Sequence, residues 1–154
     1  MDLTLKNKEL NTLYRVLDKI KITNMRANRG RAKLLAKVVD KINEYAKDET
    51  DLIDMYAKDE TDLIDMYAAK DKDDKFVIDE HKNIKLADPA KLDELNDLLN
   101  ELADEEIVIK GGEYSKRFID FLNFLEECED EFTSSEIILI DNILEQFEES
   151  KKGE

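Results

Sequence analysis

A single cysteine, Cys128, leaves this chain unable to close an internal disulfide, which fits a reducing compartment. With one cysteine and one histidine, His81, it also lacks the ligand set of a structural zinc site. One proline and four glycines in 154 residues leave little material for turns, so helix is expected to dominate. Long apolar runs are missing as well. Nothing approaches the roughly 20 residues of a membrane span, and the opening MDLTLKNKEL has no signal-like apolar stretch. A soluble protein of the cytoplasm, without a membrane partner, is the expectation.

Signatures of catalysis are equally sparse. There is no P-loop pattern, and Gly111-Gly112 lacks the further glycines of a phosphate cradle. Asp71, Asp73 and Asp74 begin like a calcium loop, yet Phe76 and Lys82 stand where the glycine and the closing glutamate belong, so they read as a solvated acidic loop. His81 has no identifiable nucleophile partner, and Cys128 falls on the apolar stripe of its helix as a core residue would. No enzyme activity, metal or cofactor is expected.

What the chain does have is charge, unevenly placed. The first 41 residues hold eleven Lys and Arg against four Asp and Glu, while the whole chain is −15, which leaves −22 for the rest. Such a separation suits one face for phosphates and another for basic surfaces. The 42% of apolar residues suffices for a core and for one domain at this length.

An exact tandem repeat organises the middle of the chain. Residues 45 to 55 read YAKDETDLIDM and residues 56 to 66 read the same. Eleven residues are close to three α-helical turns, so the extra copy lengthens a helix without rotating its apolar stripe. That stripe runs through Leu35, Val38, Val39, Ile42, Tyr45, Leu52 and Ile53 into the second copy, predicting one long projecting helix over about 31–70. Recent duplication and engineering both account for identity this close. Leu3 and Leu5 alternate like a strand, Leu10 to Ile20 reads as an amphipathic helix, and Asn24 to Gly30 as a turn. FVID and IKL suggest a hairpin at about 76–86, and Ile107 to Ile109 another strand. Asp88-Pro89 opens a leucine-rich helix, a further helix starts near Glu113, and Thr133 with Glu136 forms a capping box for the last. The expected fold is α+β and predominantly α-helical: about five helices and a small antiparallel sheet in one domain over 1–149, with a disordered tail at 150–154.

The LKNKEL opening, the run Arg29, Arg31, Lys33, Leu34 and the segment IVIKGGEY resemble a family of small proteins of unknown function encoded by phages and prophages of Gram-positive bacteria. The resemblance implies an accessory phage protein in the host cytoplasm, and carries no site residue with it.

Two charged surfaces compete as binding sites. Arg26, Arg29, Lys33, Lys37 and Lys41 step by three or four residues and share about 120° of helix arc, opposite the apolar stripe. They form a candidate phosphate-binding face, with Arg31 as an odd member that turns toward the apolar side if the helix already includes it, and otherwise lies in the first turn after Gly30 or pairs with a buried carboxylate. A solvated face that neutralises acidic helices of the same molecule is the plain alternative. Asp51, Asp54, Asp62 and Asp65 repeat along the long helix, where carboxylates can imitate a phosphate backbone and occupy the basic channel of a nucleic-acid machine. In the phage context this second face ranks first: a non-enzymatic inhibitor of a host nucleic-acid-handling complex, most concretely a CRISPR effector. The alternatives are an RNA-binding adaptor using the basic stripe, and a helical assembly component that self-associates through the long helix.

Overall fold

The computed structural model describes residues 1–56 and 89–152. Among them lie five helices and a two-stranded antiparallel sheet, the predominantly helical α+β fold expected from the sequence. The expected hairpin at 76–86, His81, Asp62, Asp65 and most of the second repeat copy lie outside the described residues.

The chain divides into two compact units, Met1–Glu44 with Asp104–Glu154, and Tyr45–Ala103. In the first, β1 (Asp2–Lys6) and β2 (Glu106–Lys110) pair with Leu3 opposite Ile109 and Leu5 opposite Ile107. The two-residue period of a strand sends these four side chains inward and leaves Glu106, Val108 and Lys110 exposed, although IVI is apolar throughout. The outer edge of β1 is filled by one side-chain amide. Thr4 N–H donates to Gln146 Oε1 at 2.7 Å, and Gln146 Nε2 donates to Thr4 O at 2.7 Å, so a glutamine substitutes for a neighbouring strand. After β2 the chain turns through Gly112, whose φ of +53° suits glycine.

Helix α1 (Leu10–Lys19) buries Leu10, Leu13, Val16 and Leu17 and packs on α5 (Ser134–Lys152). Helix α4 (Ser115–Glu126) buries Phe118, Phe121, Leu122 and Leu125, also against α5. The capping box at the head of α5 forms as read. Glu136 N–H donates to Thr133 Oγ1, and Thr133 N–H donates to Glu136 Oε1 at 2.8 Å. Glu136 is 3% exposed, and Lys19 Nζ reaches its Oε1 at 2.6 Å.

Helix α2 (Met25–Tyr56) begins six residues before the expected start. Asn24 to Gly30 is no turn: Asn24 Oδ1 accepts from Ala27 N–H at 3.1 Å as an N-cap, and Gly30 sits inside the helix. Gly30 is there for packing. A Cβ on it would run into the carbonyl oxygen of Arg117 and lie 2.9 Å from Phe121 Cβ, so the missing side chain is what lets α2 cross α4 at backbone contact. The crossing also moves the apolar stripe. The buried line on α2 is Ala27, Gly30, Leu34 and Val38, whereas Leu35 and Ile42 are half-buried and Val39 is exposed.

In the second unit Ile53 of α2 and Leu95 of α3 (Pro89–Asp104) are buried, and Asp51 and Asp54 are exposed. Two further expectations change. Residues 150–152, expected as tail, are the last turn of α5, where Ser150 Oγ donates to Phe147 O and Lys151 Nζ sits 4.0 Å from the Phe147 ring centroid. Cations there also suit the helix C-terminus. Cys128, expected in the core, lies just past α4, half-buried, with Sγ donating to Asp130 Oδ2 at 3.4 Å.

Candidate nucleic-acid interface

The new buried line on α2 relocates the cations. Arg26, Arg29, Lys33 and Lys37 each precede a buried residue by one position, so they stand about 100° round the helix beside the buried ridge rather than opposite it. They therefore line a helix crossing instead of a free outer face. Arg26 and Arg29 are exposed, and with Met25 they form one wall of a groove of about 400 Å³ whose other wall is Glu113, Lys116, Arg117 and Asp120 of the segment leading into α4 and of α4 itself. Four cations meet two carboxylates. Among the described residues Arg26, Arg29, Lys116 and Arg117 take part in no ion pair. Lys116 and Arg117 also stand in the first turn of α4, where the helix dipole adds to positive potential and disfavours cations for stability alone.

The remaining members of the stripe have intramolecular roles. Lys33 and Lys37, both half-buried, bring their ammonium groups to 4.6 and 5.8 Å from the Tyr114 ring centroid, a cation–π arrangement. Lys41 pairs with Glu44 at 3.4 Å. Arg31 leaves the binding set altogether. Its NH1 donates to the carbonyl of Leu17 at 2.7 Å and its Nε to Asn28 Oδ1 at 2.9 Å. The Leu17 carbonyl belongs to the last turn of α1, whose acceptors have no helical partner, so the guanidinium satisfies one of them and complements the dipole. The odd position of Arg31 on the helix was visible in the sequence, but its partner was not.

Of the acidic candidates, Asp51 and Asp54 are exposed on α2, and Asp62 and Asp65 lie outside the described residues. Sequence reasoning missed Lys116 and Arg117. The adjacent pair after GGEYS was the available signal, but only the Gly30 crossing brings it opposite Arg26 and Arg29.

Among the described residues no three His, Cys, Asp or Glu side chains converge as metal ligands would. Burial pushes the Cys128 thiol above its ordinary value, away from the thiolate a nucleophile needs. No described helix is long and apolar enough to cross a membrane.

A family model described as "Protein of unknown function (DUF1617)" matches residues 1–58 and 53–154. The two stretches overlap inside the tandem repeat, where an extra eleven residues would split one match into two. No curated protein and no solved structure matches the chain.

Proposed function

Because the chain belongs to the DUF1617 family along its whole length, a family of unknown function, its role has to be sought on its own surface, and we propose that it is a non-enzymatic binding protein whose α2–α4 groove holds a nucleic-acid backbone. The observation that carries this reading is the convergence of Arg26, Arg29, Lys116 and Arg117 without compensating ion pairs among the described residues. Arginine suits phosphate because its planar fork bonds two oxygens at once. In the phage setting implied by the sequence resemblance, the protein acts in the host cytoplasm on a nucleic-acid-handling complex, with a CRISPR effector as the most concrete target. The groove supplies the contact to that complex's RNA or DNA, and the protein's net negative charge limits binding elsewhere on nucleic acid.

Titration of labelled single-stranded RNA and DNA at several salt concentrations tests it. The variant carrying Arg26→Ala, Arg29→Ala, Lys116→Ala and Arg117→Ala should bind at least about tenfold more weakly, and the dependence of log affinity on log salt should flatten by about 0.7 per lost phosphate contact. An unchanged slope, or no binding by the native protein, refutes the groove.

A second reading keeps the acidic surface as the contact, favoured by the exposure of Asp51 and Asp54 on one helix. It predicts that Asp51→Lys with Asp54→Lys abolishes capture of a basic protein complex without nucleic acid, while the groove variant leaves that capture intact.

A further inference from the structure

We propose that β2 is a self-association edge: two copies of this chain pair antiparallel through Glu106–Lys110 about a two-fold axis at Val108, extending the two-stranded sheet to four strands. The inference does not depend on the basic groove.

The two edges of the sheet differ. Thr4 turns its N–H and C=O away from β2 toward Gln146. Val108 is directly opposite Thr4, and opposed residues of an antiparallel pair share their orientation, so the Val108 N–H and C=O turn away from β1. Glu106 and Lys110 follow by the period of two. The odd-numbered positions face β1 instead, as shown where Asn7 N–H donates to Glu105 O and Gly111 N–H to Met1 O. Among the described residues no hydrogen bond reaches the Val108 N–H or C=O. Beside this edge, Val108, Ile109 and Lys110 line a cleft of about 380 Å³ together with Lys37, Asp40, Lys41 and Glu44 of α2. A strand edge with unspent donors and acceptors is a template for another strand.

The sequence of β2 selects the occupant. EIVIK read against itself in reverse, centred on Val108, sets Glu106 opposite Lys110 of the second copy, twice by symmetry, and Val108 opposite itself. Within one chain Lys6 already stands opposite Glu106, and Asp2 opposite Lys110. Across four strands each row of the exposed face then runs Lys6, Glu106, Lys110, Asp2, alternating in sign throughout. A shift of two residues breaks both charge pairs, so the register is specified. The α2 wall offers charges of both signs, as a symmetric partner requires. Five-residue strands bury less than the roughly 1,200 Å² of a stable interface, so the dimer is weak and concentration-dependent.

Sedimentation velocity of the full chain, from about 1 μM to about 1 mM, is expected to show a reversible monomer–dimer equilibrium. Glu106→Lys alone and Lys110→Glu alone place like charges opposite and should each weaken the dimer about tenfold, whereas the two together should restore it to within about threefold. Val108→Pro removes the central outward donor without touching a bond to β1 and should abolish dimerisation, with the circular dichroism melt confirming that each variant folds. Three results overturn the proposal: a monomer at every concentration, including the case in which the edge serves a foreign peptide; a dimer indifferent to the single charge variants; or a combined variant no better than the singles.

Discussion

Gly30→Ala is expected to destabilise the protein by about 3 kcal/mol, toward the upper end of the usual cost of overpacking. Local reasoning gives the opposite sign, because alanine is favoured over glycine inside a helix by about 1 kcal/mol. Tertiary packing decides the outcome. The added methyl group would meet the main-chain oxygen of Arg117, which has no rotamer to escape into, and Phe121 Cβ at 2.9 Å, on a phenylalanine that is itself buried. Relief requires separating α2 from α4, which loosens the packing around Phe118 and Phe121 and widens the groove at the same time. Urea denaturation of the two proteins measures the difference directly. A variant as stable as the native chain would mean that the crossing is not held at backbone contact.

Glu136→Gln is expected to cost about 2 kcal/mol at neutral pH, in the range of a lost charge-assisted hydrogen bond at a helix cap. The carboxylate is buried and accepts from Lys19 Nζ and from the Thr133 N–H, so the amide keeps the shape but surrenders the charge that both donors face. The same contacts give the pH dependence its sign. The hydrogen bond from Lys19, with the backbone bond from Thr133, lowers the Glu136 carboxyl from 4.5 to about 2. A group depressed on folding contributes stability that is complete above its unfolded value and disappears as pH falls through its folded one. The gap between native protein and Glu136→Gln should therefore hold above about pH 5 and close toward about pH 2. Denaturant midpoints at a series of pH values test this, and a gap that persists at pH 2 would place the stabilisation elsewhere.

The elements that were legible in the sequence are those set by neighbours in the chain. The Thr133–Glu136 box was readable because both of its bonds span three residues, and the strands because DLTLK alternates and Ile107 to Ile109 form a short apolar run ended by Gly111-Gly112. Gly30 was misread because a glycine that breaks a helix and one that permits a helix crossing look alike without the second helix. The apolar stripe read through Leu35 and Val39 omitted Ala27 and Leu34, and so put the cations on an outward face. Arg31 and Lys116 show the same limit from the side of charge. Whether a cation caps another helix's carbonyl or lines an open groove depends on residues 14 or more positions away.

Gln146 has a bearing on what any assembly of this protein can become. A sheet that accepts strands on both margins has no natural last member, and recruitment at one margin leaves the other ready for the next arrival. With the Thr4 margin occupied by a side chain of the same molecule, each copy possesses one valence instead of two. Pairing through that valence exhausts it, so the product has a fixed number of members and cannot lengthen into a fibre by strand addition.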